Sequence, residues 1–175
     1  KPVAEVEIRN PFNRKEFEDA KVVVLDVRCQ DSAGRWFNVE MQVTAHRDIL
    51  KRMTFYVCGM YTEQAKGGDS YSQLQPAISI CLLKDLLFRS RRQAHHRFQL
   101  IDRESGETIE DSIEIHTLEL AKYNLWEASI SKATQVEKWA FLLMRAQDYT
   151  AEQLKELLPE DEFSGAIETI ELISA

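Results

Sequence analysis

The feature that most constrains the fold is a pair of short apolar alternations joined by a turn. Residues 22–28 read VVVLDVR and residues 37–43 read FNVEMQV, each with one carboxylate inside it. Between them, Asp31-Ser-Ala-Gly-Arg35 is rich in turn formers and predicts an antiparallel hairpin. Centring the turn on Ala33 pairs Val23 with Val43, Leu25 with Met41, Val27 with Val39 and Cys29 with Phe37. Every pair is apolar, so this register predicts one continuous core face. The other face then carries Val24 beside Gln42, Asp26 beside Glu40 and Arg28 beside Asn38.

Two carboxylates directly opposed across a hairpin, their Cβ atoms about 5 Å apart, repel one another. A shared proton or a nearby Arg offsets that repulsion, and a hard divalent cation with oxygen ligands does so best. Gln42 lies two residues beyond Glu40 and therefore on the same face. It has no titratable group, so it is suited to orienting a water or a phosphate oxygen and not to general-base work. On the residues alone, a solvated polar face carrying two acids is the other reading.

Three segments in order bear on that choice: Asn10-Pro-Phe12, residues 21–27 (KVVVLDV) and residues 31–42 (DSAGRWFNVEMQ). Together they resemble the PD-(D/E)XK nuclease family transposases, also called recombination-promoting nucleases. The likeness continues through Arg52, Tyr56, Tyr61, Gln64, Gly68-Asp-Ser-Tyr71, residues 76–80 (PAISI), Phe98 and residues 115–120 (IHTLEL). It covers most of the chain to about residue 123 and, more weakly, the helical tail.

The resemblance implies an α/β fold with a restriction-endonuclease-like core: a mixed, mostly antiparallel β-sheet flanked by helices, with a helical C-terminal segment. It also implies a magnesium-dependent DNA endonuclease, with Mn2+ or Ca2+ as alternative ions. Asp26, Glu40 and Gln42 are then the catalytic residues, and Asp26, Glu40 and the backbone carbonyl of Met41 the metal ligands. Gln42 stands where the wider superfamily has Lys, which leaves polarisation by the metal as the leading route to an activated water. Related sequences generally begin with a helical segment that often supplies a further acid, whereas this chain opens at Lys1 close to its first strand. The expectation is a shortened form that cuts DNA weakly or not at all unless a second subunit fills the gap, so homo-oligomerisation stays open. A nuclease fold kept as a catalytically incomplete module for DNA or protein binding is the alternative function, and a structural or oligomerisation domain a third.

Charge decides where DNA would sit. The net charge of −7 is carried by residues 148–175, which hold eight acids against Lys155 alone, so the remainder is formally neutral. An acidic tail beside a neutral core suits DNA contact through a local patch and excludes strong nonspecific binding. The candidates are Arg47, Lys51 and Arg52 just after the second alternation, and Arg89, Arg91 and Arg92, with Arg97, His95 and His96 nearby. Cys29, Cys58 and Cys81 are odd in number and have no metal-ligand spacing, which suits a reducing cytoplasm. No apolar run approaches the length of a membrane span.

The expected organisation is a nuclease-like core over residues 1–125 and a helical acidic segment over residues 126–175. Within the core, the pattern predicts a strand over 3–8, a helix over roughly 45–66 capped by Thr44 and stopped by Gly67-Gly68, a buried strand over 77–83, and a hairpin of 97–102 with 112–120. His116 reads as a core or edge histidine, and the adjacent His95 and His96 point to opposite faces and make a poor chelate. From about residue 131 the pattern is helical, with Val136, Trp139, Ala140, Leu143 and Met144 as one stripe. Thr150-Ala-Glu-Gln153 is a capping box opening a helix to Leu158, and Pro159 separates it from a final helix near 161–173.

Overall fold

The computed structural model describes residues 3–9, 25–44, 46, 48–65, 67–68, 70–110 and 112–174. The predicted partners Val23 and Val24, the motif Asn10-Pro-Phe12 and the basic residue Arg47 lie outside the described residues. Contacts within the chain divide it into two compact units, residues 1–119 and 120–175.

The first unit is built on a mixed sheet. Its strands are β1 (Val3–Arg9), β2 (Leu25–Asp31), β3 (Trp36–Gln42), β4 (Ala77–Leu83), β5 (His95–Gln99) and β6 (Ile113–Glu119), in spatial order β1-β2-β3-β4-β6-β5. The β1–β2, β2–β3 and β5–β6 pairs are antiparallel, while β3–β4 and β4–β6 are parallel. A parallel neighbour needs a crossover, and helix α1 (Ile49–Thr62) supplies it between β3 and β4.

The hairpin register is the predicted one: Leu25 opposes Met41, Asp26 opposes Glu40, Val27 opposes Val39, Arg28 opposes Asn38 and Cys29 opposes Phe37. Asp31 fixes it. Its buried carboxylate accepts hydrogen bonds from the Ala33 and Arg35 amides and from Arg35 Nε, at 2.9, 3.0 and 2.8 Å. Burial raises the Asp31 pKa, but the Arg35 side chain and these two amides outweigh it and hold the carboxyl below its ordinary range. Gly34 takes φ +84°, the left-handed conformation the turn requires.

The burial of the two faces departs from expectation. Phe37, Val39 and Met41 are only half-buried, whereas Asn38, Glu40 and Gln42 are buried. The crossover helix is the reason. α1 lays Ile49, Met53, Val57 and Met60 against Ala77, Cys81, Leu83 and Ile115. In the parallel register Glu40 pairs with Cys81 and Gln42 with Leu83, so the polar hairpin residues share the face α1 covers. The helix also starts later than predicted. Asp48 is its N-cap, Thr44 lies in a bend, and the helix ends at Thr62, before the two glycines. Beyond it, Gln64 clamps the Gln75 backbone from both sides, receiving from the Gln75 amide at 2.9 Å and donating to its carbonyl at 3.0 Å.

The strand predicted over 97–102 is β5, two residues earlier at its start. The turn beyond it is held by Asp102, which accepts from the Glu104 and Ser105 amides at 2.8 and 2.9 Å.

The second unit is helical, with α2 (Glu127–Ile130), α3 (Gln135–Arg145), α4 (Ala151–Leu157) and α5 (Asp161–Ser174). Its core gathers Ile130, Phe141, Leu142, Leu154, Leu158, Phe163 and Ile167. Thr134 with Glu137 and Thr150 with Gln153 form capping boxes at the starts of α3 and α4. The stripe predicted on α3 is displaced. Val136 and Leu143 are exposed, while Phe141, Leu142 and Ala140 are buried with the stem of Lys138, whose ammonium pairs with Glu160. Both faces of this helix carry apolar residues, and only packing against α4 and α5 chooses between them.

Candidate metal and DNA site

The hairpin brings Asp26 and Glu40 to paired positions on β2 and β3. Asp26 is described through its backbone pairing; its side chain lies outside the described residues. Glu40 is only 1 % exposed and Gln42 2 %, on the face beneath α1. Among the described residues, Asn38, Gln42 and Arg52 address the Glu40 carboxylate. Asn38 Nδ2 lies 3.4 Å from Oε1, and Gln42 Nε2 and Arg52 Nη2 each lie 3.3 Å from Oε2. Arg52 comes from the first turn of α1, beside the buried anchors Ile49 and Met53, so the helix that buries this face also delivers a guanidinium to it.

The chemistry of the donor set discriminates between ions. Paired carboxylates with a backbone carbonyl at Met41 between Glu40 and Gln42 are hard oxygen donors, which suit Mg2+, Mn2+ or Ca2+. Cys81 is the ladder partner of Glu40, yet its thiol is pushed up to about 12, first by burial and then by the Glu40 charge, with Arg52 opposing. At neutral pH and without a metal it is a protonated thiol. Among the described residues, no group of three or more His, Cys, Asp or Glu is arranged to hold a metal. The described part of the hairpin site offers one carboxylate, Glu40, with the Met41 carbonyl beside it in sequence.

The basic candidates separate into two places. Lys51 is highly exposed, with Asp48 Oδ1 at 3.4 Å, and Arg52 is turned to Glu40. Arg89, Arg91 and Arg92 are exposed on the segment joining β4 to β5, with Arg89 3.9 Å from Asp85. Arg97 does not belong to this group, because it grips Glu114 with two hydrogen bonds of 2.6 and 2.9 Å.

Two contributors escaped the sequence reading as site or scaffold residues. Asn38 shares the parity of Glu40 and Gln42, which was a usable signal. Glu119 is fully buried at the end of β6, where its Oε1 accepts from the Leu87 and Phe88 amides at 2.6 and 2.9 Å. Its position in the Ile113, Ile115, Thr117, Glu119 alternation marked it as inward-facing. Glu119 thereby anchors the segment that carries Arg89, Arg91 and Arg92. His95 and His96 face opposite ways, as expected. His95 Nε2 meets His116 Nδ1 at 2.8 Å, while the ring of His96 lies against Phe88 with centroids 4.4 Å apart.

Among the described residues, no helix is long and apolar enough to cross a membrane. A family model described as PD-(D/E)XK nuclease family transposase matches residues 1–175. No curated protein and no solved structure matches the chain.

Proposed function

The chain belongs to the PD-(D/E)XK nuclease family transposases, and from that premise we propose that it is a metal-dependent DNA endonuclease serving recombination or transposition. The observation that carries this reading is the register of Asp26 opposite Glu40 on a face where Glu40 and Gln42 are almost wholly buried. A buried carboxylate paired in register with a second acid is costly unless positive charge offsets it, and the single loose Arg52 contact at 3.3 Å does so only in part.

Asp26, Glu40 and the Met41 carbonyl would hold Mg2+, with Mn2+ or Ca2+ as substitutes. When bound, the cation supplies Lewis-acid stabilisation of the negative charge that builds on the phosphate oxygens. Water adds in line to phosphorus as the bond to the leaving oxygen breaks, its proton passing to solvent and the leaving oxygen taking one from solvent. Gln42 donates through Nε2 to Glu40, which leaves its carbonyl oxygen as an acceptor for a water O–H. It orients the nucleophile and does not deprotonate it. Lys51, Arg89, Arg91 and Arg92, with Arg47, serve as phosphate contacts that position the duplex. The unit ending at Glu119 carries these groups, and the acidic helical unit tempers nonspecific attraction to DNA. The three free thiols accord with a reducing, cytoplasmic setting.

The test is nicking of a short duplex by purified protein with Mg2+. Asp26→Ala and Glu40→Ala are each expected to lower the rate by about 100-fold, the equivalent of several kcal/mol of lost transition-state stabilisation. Unchanged nicking in both variants would refute the reading.

A further inference from the structure

Among the described residues, arginines grip their carboxylates in different ways. Arg35 grips Asp31 Oδ2 through Nε and Nη2 at 2.8 and 2.7 Å, and Arg97 grips Glu114 through Nε and Nη2 at 2.9 and 2.6 Å. These contacts lock a turn and a strand edge, and they use the guanidinium as a two-pronged donor. Arg28 reaches Glu63 through one nitrogen at 2.8 Å and leaves its buried Nε without a partner, and Arg52 shares that single-nitrogen pattern with a longer contact. It touches Glu40 through one nitrogen at 3.3 Å, outside the 2.7–2.9 Å range of a strong charge-assisted bond. Its Nε is buried and has no hydrogen-bond partner among the described residues.

The same Oε2 of Glu40 also receives Gln42 at 3.3 Å, and Gln42 is neutral. Of the donors described at this carboxylate, the guanidinium alone carries charge. It reaches the site from a helix whose neighbouring residues Ile49 and Met53 are fully packed, so its origin is fixed even though its grip is loose.

We infer that Arg52 is a positioning residue that sets the divalent-cation affinity of the Glu40 site and supplies the positive charge that Gln42 does not. The inference rests on the reading of Asp26 and Glu40 as a metal site. Without a cation, Arg52 neutralises and orients Glu40. A divalent ion must compete with it, so its charge weakens capture of the ion. With the ion in place, the guanidinium adds positive charge beside the carboxylate, where a phosphodiester brings negative charge.

This makes opposite predictions for binding and cleavage, which a merely structural arginine does not. Ca2+ is titrated calorimetrically into the full chain and Mg2+-dependent plasmid cleavage is measured at saturating metal. Arg52→Gln is expected to bind Ca2+ about ten-fold more tightly, because a like charge a few ångströms from the ion is gone, and to cleave about ten-fold more slowly. Arg52→Lys keeps the charge and stays within about two-fold of the parent Ca2+ affinity. Arg52→Met, uncharged and of similar length, repeats the neutral measurement should Arg52→Gln fail to fold. Glu40→Gln serves as the control and is expected to weaken Ca2+ binding by about ten-fold or more. If Glu40→Gln weakens binding but the neutral Arg52 variants bind no more tightly, or if Arg52→Lys tightens binding as much as they do, the role of Arg52 is overturned and the site stands. If Glu40→Gln binds Ca2+ as the parent does, the site reading itself falls and the inference with it.

Discussion

Asp26 on β2 stands directly opposite Glu40 on β3, and Glu40 is 1 % exposed beneath the helix that crosses from β3 to β4. A hairpin that pairs two acids, one of them buried, must hold its register tightly, since a one-residue slip of either strand would carry its acid to the other face. The turn at Asp31–Arg35 therefore sets the pairing of the two acids as much as the strands do.

Weakening that turn is expected to lower stability and loosen the pairing. Asp31→Ala removes three acceptor bonds from a buried carboxylate and should lower Tm by about 5 °C. Gly34→Ala places a side chain at φ +84° with its Cβ 3.3 Å from Gln75 Oε1, at a cost of about 1–2 kcal/mol. Thermal and urea melts of both variants check these values; a Gly34→Ala protein as stable as the parent would contradict the geometry.

Acid sensitivity should trace to Glu114. The Arg97 hydrogen bonds, aided by His116 and opposed by burial, take its carboxyl from 4.5 down to about 2. A pKa depressed on folding gives stability that is fully present above 4.5 and is lost as pH falls through that value toward 2. Glu114→Gln should accordingly be less stable than the parent at pH 7, with the gap closing between about pH 4.5 and 2. Denaturant titrations at three pH values across this window would show it. A gap that stays constant would mean that the charge of Glu114 contributes nothing.

The segment bearing Arg89, Arg91 and Arg92 should depend on Glu119. Glu119→Ala leaves the Leu87 and Phe88 amides without their acceptor and is expected to cost about 2–3 kcal/mol. Hydrogen exchange at those two amides should accelerate well beyond that of the β4 amides. Equal acceleration throughout the sheet would point to general unfolding and not to release of this segment.

If the same segment meets phosphates, each arginine lost should flatten the salt dependence of DNA binding. Arg91→Ala and Arg92→Ala should each reduce the slope of log K against log salt by about one contact's worth, near 0.9. The affinity loss should be alike across unrelated sequences. An unchanged slope in both variants would remove this segment from the DNA interface.

The register of the hairpin was legible because its determinants are local: a turn-forming pentapeptide and two alternations whose apolar partners match in one alignment. The β4 strand and the capping box at Thr150 were legible for the same reason. Which face of the hairpin would be buried was not, because it depends on the side to which α1 crosses, a property of the β3–β4 connection. The Arg52–Glu40 contact spans twelve residues and two element types, so the sequence suggested only a basic residue near a phosphate. The start of α1 shifted from Thr44 to Asp48 because a capping residue signals a helix only where the chain begins one. On α3, two overlapping apolar faces left the choice to α4 and α5, which burial of Lys138 shows most plainly.

The central claim is that Asp26 and Glu40 form a catalytic metal site. Its most direct test is plasmid cleavage by the parent and by the Asp26→Asn/Glu40→Gln double variant, each rigorously purified and assayed with Mg2+, Mn2+ and Ca2+. The account predicts cleavage by the parent with Mg2+ and Mn2+ and a loss of about 100-fold or more in the folded double variant. Cleavage of equal rate by the two proteins, with the same dependence on the three ions, would contradict it.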